Sequence, residues 1–197
     1  MLNVEPNQRV LDVTAAPGSK ATHIARLAPS ATIMAGDLHP QRVQTMRRLA
    51  ARQEARINLL VHDATKPLSF AGESFDRVLL DAPCSGTGTL RRNPEIRYRL
   101  RPDDISELAE QQKQMLACAA AVVRPGGRLL YSTCSVEPEE NEQVVDHFAS
   151  NHPEFRAINP AGTNSSFSLQ PSSFHLRLWP HRHGCDGFFI AAYEKAG

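Results

Sequence analysis

The chain has 197 residues, of which 41% are hydrophobic and 22% are charged, and its formal net charge at pH 7 is +1. These values are ordinary for a globular protein, and no stretch approaches the roughly 18 apolar residues of a membrane span. The near-zero net charge creates no overall field directed at nucleic acid, and the N-terminus lacks the basic and apolar regions of a secretory signal peptide.

Five apolar runs alternate with segments of helical periodicity. The predicted strands are Arg9–Val13, Ala31–Asp37, Ile57–Asp63, Phe75–Asp81 and Gly127–Cys134. The predicted helices are Ser19–Leu27, a segment with apolar residues at positions 43, 46, 49 and 50, the long segment Ile105–Val123 ended by RPGG, and a segment starting near Pro138. Strands that are apolar almost throughout and alternate with helices predict an α/β fold with a parallel sheet covered on both faces.

The C-terminal part of the chain has a different pattern. Residues 159–173 are rich in Ser, Pro, Gly and Asn, which predicts a loop. The apolar segments Phe174–Pro180 and Asp186–Lys195 predict two more strands, which would complete the sheet as an antiparallel edge pair. Because no repeat or linker divides the chain, we expect residues 1–197 to form one domain.

Acidic residues recur along the predicted strands. Asp12 lies in the first strand, and Asp37, Asp63 and Asp81 end the next three. Open α/β sheets bind ligands beyond the carboxyl ends of their strands, so four carboxylates at one edge predict a binding crevice. A single Asp at such a position is more typical of a helix cap or a turn, and only the repetition favours a ligand site.

The turn after the first strand, TAAPGSK (Thr14–Lys20), contains a single Gly and matches neither GxGxxG nor GxxxxGK[ST]. Its small residues would instead let a ligand approach the backbone. Asp37 has the position of the acidic residue that binds ribose hydroxyls in dinucleotide folds, and Asp63 could accept a hydrogen bond from the adenine amine. These groups predict an adenosine ligand without a pyrophosphate, and S-adenosylmethionine is such a ligand.

Two of the four cysteines end similar apolar segments, Cys84 in LLDAPCS and Cys134 in LLYSTCS. The cysteines show no metal-ligand spacing such as CxxC, so we expect free thiols, no bound metal and a cytoplasmic location. Cys118 lies on the apolar stripe of the long predicted helix, which is typical of a core residue. Cys185 lies near the predicted site and is interpreted as a tolerated small residue.

Charge is unevenly distributed. Arg91–Arg101 carries five Arg and one Glu, which is as typical of a phosphate-binding loop as of a solvated polar loop. Glu137–Glu142 carries four Glu and is interpreted as a solvated helix start, although Glu139 and Asn141 follow Cys134 closely enough to shape its pocket.

Six segments together resemble a known family: DVTAAPGSKATH, GDLHPQRV, HDAT, DAPCSGTGTLRRNPEIRYR, YSTCSVEPEENEQVV and PHRHGCDGFFIA. They resemble the Sun-type family of RNA 5-methylcytosine methyltransferases, also called Fmu or NOP/Sun. The resemblance implies a Rossmann-like methyltransferase fold with a mostly parallel seven-stranded sheet and helices on both faces. It also implies a set of contacts to S-adenosylmethionine, namely Thr14, Ala15, Ala16, Pro17, Gly18, Ser19, Lys20, Asp37, Asp63 and Asp81.

The chemistry of this family explains why two cysteines are needed. Carbon 5 of cytosine becomes nucleophilic only after a thiolate adds to carbon 6, so one cysteine needs a lowered pKa. Spacing alone does not rank the two. The resemblance implies that Cys134 is the nucleophile and that Cys84 assists breakdown of the covalent adduct. We expect the two strands that carry them to be neighbours at the centre of the sheet, with both thiols directed at one flipped cytosine. Asp81 would bind the N3/N4 edge of cytosine, and Lys20 would contact the base or the nucleophile.

The target base must be single-stranded or flipped out, because a thiol cannot reach carbon 6 inside a duplex. RNA contacts are expected from the basic segment and from the loop WPHRHG, namely Arg91, Arg92, Arg97, Arg99 and Arg182. The sequence predicts a monomeric enzyme acting on small-subunit ribosomal RNA, with two alternatives. One is a tRNA cytosine-C5 methyltransferase, and the other is a non-catalytic RNA-binding module.

The first strand begins close to the start of this chain, whereas the resemblance implies extra N-terminal RNA-binding regions. With only eleven residues before Asp12, we expect the catalytic domain without those regions, either as a fragment or as a minimal form.

Overall fold

A computed structural model describes residues 1–160 and 174–197. The strands are β1 (Arg9–Asp12), β2 (Thr32–Asp37), β3 (Asn58–Val61), β4 (Phe75–Asp81), β5 (Val123–Thr133), β6 (Phe155–Ile158), β7 (His175–Leu178) and β8 (Phe188–Lys195). The helices are α1 (Ser19–Leu27), α2 (Pro40–Arg52), α3 (Ile96–Arg99), α4 (Pro102–Ala120), α5 (Glu142–Asn151) and α6 (Pro180–His183). None of these helices is long and apolar enough to cross a membrane.

The eight strands form one sheet in the order β3-β2-β1-β4-β5-β8-β6, with β7 also paired to β8. Strands β1 to β5 are parallel, and β8 runs antiparallel to β5. Strand β7 pairs with Phe188–Ala191, and β6 pairs with Ala192–Lys195. The two short strands therefore share one edge position, which reconciles eight strands with the seven positions of the predicted methyltransferase sheet.

Helices cover both faces of the sheet, as predicted. In β1, Val10 packs in a cluster with Met46 of α2, whereas Leu11 packs in a cluster with Leu116 of α4. Successive side chains of a strand point to opposite faces, so α1 and α2 lie on one face and α4 and α5 on the other. The α/β fold class is confirmed.

Three boundaries differ from the prediction. Helix α4 ends at Ala120 rather than Val123, because Val123 pairs with Phe75 and begins β5, so that RPGG lies inside the strand at a register shift. The strand β6 was not predicted, because its four residues carry little apolar alternation. Pro180, predicted as a strand end, begins α6. Most of the predicted loop 159–173 lies outside the described residues.

Candidate active site

The two cysteine segments lie side by side. Strands β4 and β5 are neighbours near the middle of the sheet, with Asp81 paired in register with Ser132. Beyond the strand ends, the Sγ atoms of Cys84 and Cys134 are 3.3 Å apart. The hydroxyls of the two following serines, at positions 85 and 135, are 3.1 Å apart. The prediction that the two strands are neighbours is confirmed, and their turns bring both thiols to one point.

The two thiols have opposite pKa shifts. The hydrogen bond between them is the largest cause of both, because it raises the pKa of Cys84 and lowers the pKa of Cys134. Cys84 therefore keeps its proton and donates a hydrogen bond to the Cys134 sulfur. Since the thiolate is the nucleophilic form of cysteine, Cys134 is the better nucleophile of the pair.

A buried carboxylate, Glu140, holds the turn that carries Cys84. It is completely buried, and Oε1 accepts hydrogen bonds from the Ser85 amide at 2.8 Å and the Gln112 side chain at 2.9 Å. Oε2 accepts from the Ser85 hydroxyl at 2.5 Å. Glu140 belongs to the acidic run predicted to be a solvated helix start, so that prediction is wrong for this residue. Its burial is stabilised by three donors that compensate for lost hydration.

Asn141 holds the turn that carries Cys134. Its Oδ1 accepts a hydrogen bond from the Thr133 hydroxyl at 2.6 Å, and its Nδ2 donates to the Ser135 carbonyl at 3.0 Å. The Tyr131 hydroxyl donates to the Glu140 carbonyl at 2.6 Å, which ties the same segment to β5. The expectation that Asn141 shapes this pocket is confirmed.

Lys20 and Asp81, both predicted catalytic residues, meet beside the thiols. The Lys20 ammonium lies 2.5 Å from Oδ2 of Asp81, and the Ser132 hydroxyl donates to Oδ1 at 2.6 Å. The side chains of Lys20 and Asp81 stay 46% and 28% exposed, so both can reach a ligand. The negative charge of Asp81 also opposes ionisation of Cys134.

The loop Thr14–Lys20 lies against the carboxyl ends of two strands. The Thr14 hydroxyl donates to the Asp81 carbonyl at 2.9 Å, and the Ala15 amide donates to the Gly36 carbonyl at 2.7 Å. The predicted cofactor loop is therefore fixed next to Asp81, at the edge where open α/β sheets bind ligands.

Asp37 is buried and is held by neighbours on both sides. Its Oδ1 accepts from the His39 amide at 3.0 Å, and its Oδ2 lies 3.2 Å from the Arg42 guanidinium. The same guanidinium donates to the Ala16 carbonyl at 3.1 Å. Within the cofactor loop, Gly18 has a φ of 105°, a conformation that glycine adopts without strain. Arg42, which the sequence did not single out, thus joins two predicted cofactor contacts.

The remaining two strand-end acids differ in environment. Asp63 accepts hydrogen bonds from the Thr65 amide and hydroxyl, and these bonds lower its pKa. Asp12 is completely buried, and within the described residues neither of its carboxylate oxygens has a hydrogen-bond partner. Burial raises the pKa of Asp12 to about 7, and the Asp81 charge adds to this effect. The prediction that all four acids line an open crevice is wrong for Asp12, which lies beneath it.

The site fits S-adenosylmethionine in its donor and acceptor groups. At the edge of β1 and β3, two buried acceptors have no partner in the part of the chain that the structure describes. They are the Asp12 carboxylate and Nδ1 of His62, whose Nε2 donates to the Val13 carbonyl at 2.7 Å. Buried acceptors without partners are unusual and suit a ligand with N–H donors, which this cofactor carries in its ammonium and adenine amine.

The arginines of the basic segment are exposed, and one of them has a carboxylate partner that the sequence did not predict. Arg92 forms an ion pair with the buried Asp186, at 3.0 Å. Arg91, Arg97 and Arg99 are exposed, as is Arg182 in α6. Backbone bonds connect the Asp186 turn to the thiols, because the Gly187 amide donates to the Gly88 carbonyl at 2.8 Å, and the Gly88 amide donates to the Cys134 carbonyl at 2.9 Å. Within the described residues, the other four predicted RNA contacts form no ion pair, and their binding to phosphate stays a prediction.

The comparisons with known proteins agree with this geometry. The family model for 16S rRNA methyltransferase RsmB/F matches residues 1–194. The chain belongs to the RsmB/F family. RsmB/F methyltransferases use S-adenosylmethionine, as the cofactor prediction expects.

Three relatives illustrate the similarity to the RsmB/F family. "Probable ribosomal RNA small subunit methyltransferase B" of Synechocystis sp. is 41% identical over 207 residues, which cover 100% of this chain and 45% of that protein. The crystal structure of PH0851 has a TM-score of 0.92 at 42% identity, covering 98% of this chain and 44% of that one. The structure of NSun6 from Pyrococcus horikoshii, determined with the S-adenosylmethionine analogue SFG, has a TM-score of 0.86 at 29% identity. The match covers 100% of this chain and 50% of that one. The chain thus spans about half the length of these relatives.

Proposed function

We propose that this chain is the catalytic domain of an S-adenosylmethionine-dependent RNA cytosine-C5 methyltransferase that acts on small-subunit ribosomal RNA as a monomer. The observation that carries the proposal is the pair of thiols 3.3 Å apart with opposite pKa shifts, at the carboxyl edge of a methyltransferase sheet. The rRNA methyltransferase relatives support the substrate class.

The thiol pair suits covalent activation of cytosine. The Cys134 thiolate adds to carbon 6 and forms an S–C bond, and the electron pair of the C5–C6 double bond moves to carbon 5. S-adenosylmethionine supplies an electrophilic methyl group, which carbon 5 takes while the thioether product leaves. A base then removes the proton on carbon 5, the double bond re-forms, and the Cys134 thiolate departs. Dividing one difficult substitution into addition and elimination is how nucleophilic catalysis lowers the barrier.

Cys84 and Asp81 act on the two sides of this adduct. The protonated Cys84 lies within hydrogen-bond distance of the Cys134 sulfur, so its S–H can stabilise the departing thiolate as the S–C bond breaks. The Asp81 carboxylate, oriented by Lys20 and Ser132, accepts from the N4 amine of cytosine. The Lys20 ammonium stabilises negative charge that develops on the base during addition.

The cofactor contacts follow from the same edge of the sheet. The loop Thr14–Lys20 and Asp81 would hold the methionine part of S-adenosylmethionine, Asp37 would accept from the ribose hydroxyls, and Asp63 would accept from the adenine amine. The exposed arginines of the basic segment and Arg182 contact phosphates around the flipped base, while Arg92 is held by Asp186 and positions the segment.

The test is to trap the adduct. The 197-residue chain with Cys84→Ala is incubated with 16S rRNA and S-adenosylmethionine, and the mixture is run on a denaturing gel. We expect a protein–RNA band that survives denaturation, because the variant attacks cytosine but releases it slowly. The matched control is Cys84→Ala combined with Cys134→Ala, which should give no band.

An adduct that persists in the double variant would contradict the role of Cys134. The absence of an adduct in Cys84→Ala, together with normal turnover, would remove the release role of Cys84. If the unmodified chain transfers a methyl group to tRNA but not to 16S rRNA, the substrate proposal fails while the cytosine chemistry stands. If it binds RNA but transfers no methyl group at all, the chain is a binding module.

A further inference from the structure

Outside Arg9, the basic segment and α6, the arginines fall into two groups. On the half of the sheet formed by β4, β5 and β8, most arginines face carboxylates. The ion pairs of this half are Arg77–Glu5, Arg124–Asp76, Arg128–Glu194, Arg156–Glu194 and Arg177–Glu142. Paired charges of this kind cancel locally and leave little field for a partner.

The layer formed by α1 and α2 carries the second group. Within the described residues, Arg42 is the one arginine of this layer that forms an ion pair, with Asp37. The exposed arginines of the layer without a carboxylate partner are Arg26, Arg47, Arg48, Arg52 and Arg56. This excess of positive charge stands out in a chain whose net charge is only +1. The active-site chemistry does not use it.

Three of these five arginines, Arg26, Arg52 and Arg56, line one groove between α1 and α2, which we call the α1–α2 groove. It has a volume of about 890 Å³, and its charged lining is formed by Arg26, Arg52 and Arg56, with Glu54 as the acidic residue. Its apolar lining consists of alanines and one proline, so it offers no large hydrophobic anchor of the kind that protein interfaces use. Its chemistry therefore suits a polyanion.

We propose that the α1–α2 groove binds the phosphate backbone of the substrate RNA at a distance from the flipped base. This inference rests on the proposed function. The groove begins at Ser19, next to Lys20 of the active site, and Arg26 lies about 10 Å further along α1 at the helical rise of about 1.5 Å per residue. RNA lying in it would extend from the catalytic edge down one face of the molecule.

Phosphate contacts of this kind have a measurable signature in salt. Each phosphate that a protein neutralises releases counterions, so the slope of log Kd against log salt changes by about 0.7 to 0.9 per contact. The triple variant Arg26→Gln, Arg52→Gln and Arg56→Gln should lower this slope by about 2 and weaken binding of a structured 16S rRNA fragment at least tenfold at low salt. Its Kd for S-adenosylmethionine should stay unchanged.

The matched control removes the same charge from the other half of the sheet, as Arg124→Gln, Arg128→Gln and Arg156→Gln. This variant should keep the salt slope and the RNA affinity of the unmodified chain. A further variant, Glu54→Gln, removes the acidic residue of the groove and should tighten RNA binding severalfold. Because it changes the affinity in the opposite direction, it tests the groove even if the triple variant fails to fold.

The outcomes separate the groove from the proposed function. If the groove triple and Glu54→Gln both leave the RNA affinity and salt slope unchanged, the inference is overturned, and a protein partner becomes the better occupant. If the groove triple and the control triple weaken binding equally, the effect is one of total charge and the inference also fails. The adduct test uses chains whose groove is not mutated. It decides the proposed function separately, because it depends on the thiols and not on these arginines.

Discussion

The two cysteine turns have nearly the same local sequence, yet they hold their thiols in opposite states. Each follows a buried parallel strand and continues with a serine, and the two Cys-Ser pairs face each other across neighbouring strands. The pKa of Cys134 is lowered and that of Cys84 is raised. The role of each thiol therefore depends on which sulfur donates the shared hydrogen, and not on the residues that flank it.

The charge of Glu140 does not by itself explain the asymmetry. Glu140 lies against the turn of Cys84, but its negative charge raises the pKa of both thiols. The turn of Cys134 is held by the neutral Asn141. The hydrogen bond between the two sulfurs is the largest cause of both shifts, and it assigns the proton to Cys84.

The largest expected difference between the two turns is in the first turnover. Cys134→Ala removes the attacking group and should slow single-turnover methyl transfer to 16S rRNA by about 10⁴-fold or more, as loss of a catalytic nucleophile does elsewhere. Cys84→Ala should keep the first methyl transfer within about tenfold, because the lost group acts mainly on release. Rapid-quench transfer of a labelled methyl group measures both rates. Equal losses in the two variants would mean that the thiols act as a unit rather than in sequence.

A second difference should appear in stability. Glu140→Ala leaves the Ser85 amide and one N–H of the Gln112 side chain as buried donors without their carboxylate partner, although Gln112 keeps its bond to the Pro83 carbonyl; the loss should cost about 2 to 5 kcal/mol of unfolding free energy. Urea denaturation followed by circular dichroism measures the loss. Glu139→Ala is the matched control, because this neighbouring acid makes no hydrogen bond or ion pair in the described residues, and it should change stability by less than about 0.5 kcal/mol. A loss of similar size in both variants would show that Glu140 does not specifically hold the Cys84 turn.

The neighbouring strands could be predicted from the sequence, but the carboxylate behind them could not. Apolar runs that end in Pro-Cys-Ser and Thr-Cys-Ser indicate the strand ends directly. Burial of Glu140, in contrast, depends on donors from α4 and the Cys84 turn, which are distant in the sequence. One sequence feature did indicate the burial of Glu140. Gln112 is a polar residue on the buried stripe of α4, between Ala109 and Leu116. A polar residue at such a position indicates a buried partner.

The carboxyl edge of the sheet, where the predicted cofactor site lies, shows the same limit of prediction from sequence. Strand-end acids could be located from the pattern, but their environments could not, because Asp12 is completely buried whereas Asp63 caps its own turn. The register of a strand decides which face an acid points to, and a difference of one residue reverses it. The ion pair of Arg92 with Asp186 could likewise not be predicted from the sequence, because the two residues meet only after β8 has inserted beside β5.

The smallest effect is a shift in the pKa of one thiol. Cys84→Ala removes the hydrogen-bond donor that stabilises the Cys134 thiolate, so the pKa of Cys134 should rise. The rate of alkylation by iodoacetamide, measured against pH in a background with Cys118→Ser and Cys185→Ser, reports this pKa, because only the thiolate reacts. The midpoint should therefore move to higher pH, and the rate below the midpoint should fall. A midpoint that stays in place would mean that the hydrogen bond between the two sulfurs does not set the difference between their pKa values.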